Sequence, residues 1–190
     1  YNLIDEQHLI VLNELENIPE TLLNSLESYT EKGGNLVVIP HKEIILSSYS
    51  NFFRKLNTGR LFSLKSDSLK ITSINYNHPL LKNVFEKKVA NFQYPFVKSS
   101  FNTEFKNASN IVSFENKQGF IQHINLPNAS MYWVASPLSK DNSNFTNSPL
   151  IVPVFYNIGK QSLQLSELYY TIDKQNTIDI DTQLGKDEVL

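Results

Sequence analysis

The sequence predicts an α/β fold: an open, mostly parallel sheet with helices on both faces, followed by a short C-terminal β segment. Three observations carry this. Short continuous apolar runs at His8-Leu9-Ile10-Val11-Leu12 and Leu36-Val37-Val38-Ile39 read as strands covered on both faces. Between them lies an amphipathic helical stripe that ends at Gly33-Gly34. Strand, helix, glycine pair and strand within about 30 residues make a βαβ unit, whose crossover is expected to be right-handed.

Each element has its own local reason. Pro19 suits the first turn of a helix, where its missing N–H costs nothing. Leu22, Leu23, Leu26 and Tyr29 then recur at helical spacing beside polar Glu20, Asn24, Glu27 and Ser28. Glycine alone takes positive φ cheaply, so Gly33-Gly34 stops the helix, and Pro40 closes the second strand. Residues 47–56 form a short helix with Tyr49, Phe52, Phe53 and Leu56 apolar, and 69–74 alternate as a strand. Asn77-His78-Pro79 opens a short helix through Phe85, and 86–110 read as extended or loop structure. Residues 111–114, 120–124 and 131–135 are three successive strands, separated by turns at 116–119 and Pro127-Asn128. Pro149 to Ile158 is an apolar helix in which Pro153 marks a kink or the true start. The pattern then changes. Residues 1–163 form one α/β domain, and 164–190 a hairpin or linker leading into a further β domain.

Composition removes whole classes of chemistry. The chain has 190 residues, with Lys+Arg 17 against Asp+Glu 19, a formal net charge of -2. Such a balance argues against a nucleic-acid or anionic-lipid surface. Cys is 0, so there is no disulfide framework, no thiolate nucleophile and no cysteine-based zinc or iron–sulfur site. No basic segment leads into an apolar one as in a signal peptide, and no apolar run is long enough to span a bilayer. The start at Tyr1 and the end at Val189-Leu190 read as those of a segment excised from a longer protein.

The candidate chemistry is sparse. His41-Lys42-Glu43 follows the second strand, at the carboxyl edge where open α/β sheets hold ligands. An H-x-E pair there suits a metal or proton transfer, but no third ligand can be named; a solvated loop is the plainer reading. His8, His78 and His123 read as ordinary hydrogen-bonded or helix-starting residues. Ser136 follows a strand, as a hydrolase serine would, yet it lacks flanking glycines, and Pro137 removes an oxyanion-hole N–H. Glu14 and Glu16 form an acid–base pair in principle and solvated surface in the plainer reading. The first strand-to-helix loop holds two glutamates and no glycine, which disfavours phosphate. Tyr94, Phe96, Phe101, Tyr132 and Trp133 offer a glycan or partner surface, or simply core. Three sequons, at Asn107, Asn128 and Asn144, are what an Asn-rich chain produces by chance.

Residues 9–40, LIVLNELENIPETLLNSLESYTEKGGNLVVIP, resemble the core βαβ of class I glutamine amidotransferase-like domains. Residues 134–158, VASPLSKDNSNFTNSPLIVPVFYNI, resemble the end of such domains in bacterial aerotolerance-type membrane proteins with an N-terminal double-transmembrane region. Asn77-His78-Pro79-Leu80 is similar to a further segment of that family. Over residues 5–160 the resemblance implies the fold and a membrane-anchored, envelope-facing parent. It also implies what is missing: enzymatic members use a Cys nucleophile, and this chain has none. The expectation is a non-catalytic, periplasmic domain of an inner-membrane protein, acting in interaction or scaffolding. Its partners would be other envelope proteins or domains of the same parent, its membrane contact only through helices outside this segment. No cofactor, metal or catalytic residue is assigned, His41 and Glu43 being weak metal candidates.

Overall fold

In the computed structural model, residues 3–82 and 93–163 are described. Strand β1 spans Leu9–Leu15, helix α1 Glu20–Glu31 and strand β2 Asn35–Pro40. Helix α2 (Leu46–Lys55) and strands β3 (Gly59–Lys65) and β4 (Leu69–Ile74) follow. Next come β5 (Phe96–Val97), β6 (Ser100–Phe105), β7 (Ala108–Phe114), β8 (Gly119–Asn125) and β9 (Ser130–Val134). Helix α3 spans Ile151–Ser162.

The βαβ unit is present, with β1 and β2 parallel from Leu9↔Asn35 to Leu15↔Pro40. Its two glycines do different work. Gly33 sits at φ 95, the left-handed residue that ends α1. Gly34 N–H donates to the Tyr29 carbonyl at 2.9 Å, and Gly33 N–H to that of Thr30 at 3.1 Å, so the last turn is satisfied. A Cβ on Gly34 would lie 2.2 Å from the Tyr29 ring, so only glycine lets that ring lie against the start of β2. The Tyr29 hydroxyl donates to the Asn35 carbonyl, and burial pushes its pKa up to about 12.

The main sheet has seven strands in the order β1-β2-β9-β8-β7-β4-β5, and β3 pairs with β6 in a separate ribbon. It is mixed. Pairing is parallel across β1, β2 and β9 and antiparallel from β9 to β5. The expectation of a mostly parallel sheet therefore describes one end. Short turns link β7, β8 and β9, and a short connection can only reverse the chain. Strand β2 is buried along Leu36–Pro40, as expected of a strand covered on both faces. Strand β1 is not: it is the edge, and Val11 is 48% exposed while Leu12 is buried.

The stretch expected to be irregular holds β5 and β6, and β3 was not anticipated. Strands β3 and β6 pair across a long separation in the chain, Gly59 with Phe105 and Lys65 with Ser100, and β5 pairs with β4. The short helix expected from Asn77 is instead a series of turns as far as Lys82; its remainder lies outside the described residues, as does all of 164–190. In α3, Pro153 falls in the first turn, where it breaks no helical hydrogen bond.

Trp133 is the centre of the core. Fully buried, it meets Phe53 edge-on at 5.3 Å and Phe105, Phe101 and Tyr49 at 6.1, 6.4 and 6.5 Å. Its indole N–H has no hydrogen-bond partner among the described residues, a cost of about 1–3 kcal/mol that the large buried area offsets. Of the two readings of the aromatic residues, Trp133, Tyr132 and Phe101 take the core one, which removes Trp133 as a glycan-binding surface, while Tyr94 is 52% exposed. The single tryptophan should accordingly emit blue-shifted fluorescence that acrylamide barely quenches, shifting red only on unfolding in urea.

Candidate functional site

The parallel strands β1, β2 and β9 end together; Glu14 lies at the end of the β1 ladder, and the loops beyond the three strands contain Glu16, His41, Glu43 and Ser136. This carboxyl edge is tied shut by backbone and side-chain hydrogen bonds. Ile45 N–H, just before α2, donates to the Glu16 carbonyl at 2.8 Å, and the Tyr49 hydroxyl donates to that of Leu15 at 2.6 Å. The Ser48 hydroxyl accepts from Ile18 N–H and donates to the Ile18 carbonyl, at 2.8 and 3.0 Å. The first turns of α2 thus hold down the whole first loop.

Glu14 is the residue that sequence reasoning misplaced. It is the extra residue of a bulge in β1, where the register slips between Asn13 and Leu15, and its φ is 51. A non-glycine residue in that conformation costs about 1–2 kcal/mol. The side chain offsets the cost: one carboxylate oxygen accepts from the N–H groups of Leu138 and Ser139, at 2.8 and 2.9 Å. These amides lie just beyond Pro137 in the loop after β9. In an acyl-transfer enzyme a pair of converging amides stabilises an oxyanion. Here the chain's own carboxylate holds them. No local signal marks this role, because the partners are 124 and 125 residues away.

Ser136 is fully buried. Its hydroxyl lies 2.8 Å from the Ser99 carbonyl, to which it donates, and accepts from the Asn142 amide at 2.8 Å. No histidine touches it, and its oxygen is committed to stitching three loops together. His41 Nδ1 accepts from Glu43 N–H at 3.0 Å, a local turn that fixes the proton of the neutral ring on Nε2. The Glu16 carboxylate lies 3.9 Å from the same nitrogen. The H-x-E pair is therefore joined through the Glu43 backbone rather than aimed at a shared ligand. Among the described residues, no three His, Asp or Glu side chains converge to hold a metal ion.

The structure joins two histidines that the sequence kept apart. His78, in the turns after β4, and His123, on β8, meet edge-on with centroids 5.5 Å apart. His123 also stacks on Tyr132 of β9 at 4.9 Å. His78 Nε2 lies 3.1 Å from the Ser109 hydroxyl, and His123 Nε2 lies 2.8 Å from that of Ser130. Because His78 Nδ1 accepts from Leu80 N–H at 3.2 Å, its Nε2 carries the proton and donates to Ser109. It cannot act as a base toward that serine. Burial lowers the pKa of both rings, and a charge on His78 would lower that of His123 further.

No protein-family model and no curated protein sequence matches the chain. Solved structures do. A cytoplasmic protein from Salmonella typhimurium is similar at a TM-score of 0.66 with 13% identity, over 84% of this chain and 73% of the other. A second, from strain LT2, gives 0.60 and 12%, over 83% and 72%. A ThuA-like protein from Bacteroides uniformis gives 0.54 and 15%, over 83% and 69%. At such identities the likeness is one of fold alone. That fold is ThuA-like and glutamine amidotransferase-like, among the described residues an α/β arrangement of a mixed seven-stranded sheet with three α-helices.

Two outcomes follow for stability. Glu14→Ala leaves two amides without their acceptor while the strained backbone remains, and should cost about 1–3 kcal/mol in urea unfolding, with Glu14→Gln costing less. The histidines set a pH dependence. Their folded pKa values lie below the unfolded value of about 6.5, so the unfolded chain binds protons more readily. Stability is then fully present above about pH 6.5 and is lost as pH falls below it. Thermal unfolding should show a lower Tm at about pH 5.5 than at pH 7.5, and His123→Gln should flatten that difference.

Proposed function

We propose that this is a non-catalytic amidotransferase-like domain, which binds or scaffolds other protein rather than turning over a substrate. The observation that carries the reading is Glu14. The amides best placed to stabilise an oxyanion at the carboxyl edge are held by a carboxylate of the same chain. An incoming acyl oxygen would have to displace that side chain and meet its negative charge. The absence of cysteine and the buried, hydrogen-bonded state of Ser136 support the same reading, since the edge has no thiolate and the Ser136 hydroxyl is already bonded on both sides.

The finer parts of the proposal rest on the segments 9–40, 77–80 and 134–158 quoted above. The parent is a bacterial inner-membrane protein with a double-transmembrane region outside this segment. The domain faces the periplasm and docks on other envelope proteins or on domains of the same parent, with helices covering both faces of its sheet. Among the described residues no helix is long and apolar enough to cross a membrane. Protease accessibility of the tagged parent in spheroplasts tests the topology: digestion without lysis supports it, and protection until lysis overturns it.

Activity is the direct test of the inert edge. The chain, incubated with glutamine and with p-nitrophenyl esters, should release neither ammonia nor nitrophenol above background. Turnover abolished by His41→Ala, a half-exposed position whose replacement leaves the core untouched, would replace this reading with an enzymatic one.

A further inference from the structure

At the opposite end of α2 from the carboxyl edge, a cavity of about 540 Å3 opens between the helix, the start of β3 and the turn joining β6 to β7. That volume is in the range of small-molecule sites, about 300–1,000 Å3. Three cations line it from three elements: Arg54 on α2, Arg60 on β3, and Lys106 on the turn.

The local backbone explains why they converge. Leu56 N–H donates to the Phe52 carbonyl, Asn57 N–H to that of Arg54, and Thr58 N–H to that of Phe53, so three carbonyls of the last turn of α2 are already taken. Asn57 at φ 51 turns the chain, and Gly59 enters β3 so close to β6 that a Cβ would lie 2.1 Å from the Glu104 carbonyl. Lys106 N–H donates to the Thr58 carbonyl, which fixes the turn against the same corner.

The cations are under-used. Lys106 Nζ donates to the Asn57 side chain and Arg54 to that of Asn51, each at 3.0 Å, which leaves further donors on both. The Arg60 guanidinium has no hydrogen bond among the described residues. None of the three has a carboxylate within ion-pair distance among those residues; Glu104, opposite Arg60 in the strand register, does not reach it. In a chain of net charge -2, three uncompensated cations around one cavity create a local positive field that an anion would relieve. Phe62, two residues along β3 from Arg60, lines the same cavity and is 41% exposed as a residue, and Phe53 supplies a buried apolar wall.

We propose that this cavity binds a small organic phosphate that carries a planar ring. The guanidinium groups take the phosphate oxygens through forked N–H donors, Lys106 adds a point charge, and the ring stacks on Phe62. The site shares no side chain with the carboxyl edge, so it goes beyond the reading of an inert domain.

The test is calorimetric titration of the chain with adenosine monophosphate, inorganic phosphate and adenosine. The monophosphate should bind, more weakly as salt rises, and adenosine at least about tenfold more weakly. Arg60→Glu, at an exposed position that should leave the circular dichroism spectrum unchanged, should cut affinity by about tenfold or more. Phe62→Ala should narrow the preference for the monophosphate over inorganic phosphate. No heat with the monophosphate, equal binding of adenosine, or affinity untouched by Arg60→Glu in a folded variant would each overturn the proposal. None of these outcomes bears on turnover, so the two readings stand or fall separately.

Discussion

The contact on which this molecule turns is that between the Glu14 carboxylate and the amides of Leu138 and Ser139. It spans the sheet end from β1 to the loop after β9, passing over β2. Without it, a strained bulge, an edge strand and a loop following a proline would each need a separate anchor. With it, two charge-assisted hydrogen bonds offset the left-handed backbone and fix the register at which β1 ends. The same contact underlies the proposed reading, since it occupies two amides that an incoming acyl oxygen would otherwise meet at this edge.

Beneath that edge the packing is conventional in kind but aromatic in character. Strand β2 is buried beside β9, whose Trp133 gathers Phe53 and Tyr49 from α2 and Phe101 and Phe105 from β6. The β3–β6 ribbon is thereby held to the main sheet through ring contacts, together with the bond from Phe101 N–H to the Ala135 carbonyl at 2.7 Å. Close-packed rings resist small shifts, because each contact is lost within a fraction of an ångström. The tryptophan N–H without a partner is the concession made for that packing.

What could be read from the sequence was what is local. The α1 stripe of Leu22, Leu23, Leu26 and Tyr29, the glycine pair, the buried β2 run and the β7–β8–β9 meander all repeat at spacings that one window of chain reveals. What escaped depends on partners far along the chain. Strand β3 has no period that marks it until β6 is placed beside it, and Glu14 reads as solvated surface until Leu138 is placed beside it. The histidine pair unites residues from β8 and from the turns after β4, and the cationic cavity takes single residues from three elements, so neither leaves a motif. Trp133 was ambiguous for the opposite reason: an aromatic residue on a strand suits a surface or a core equally well, and only its neighbours decide.

The position of β1 carries a last consequence. Among the described residues it pairs on one side only, and its regular ladder runs just from Leu9 to Asn13 before the bulge breaks it. A bare, straight strand margin is a template on which another chain can stack, the first step toward fibrous self-assembly. The kink at Glu14 keeps that template short and twists it out of plane. One acidic residue thus gives the fold some protection against amyloid-like growth.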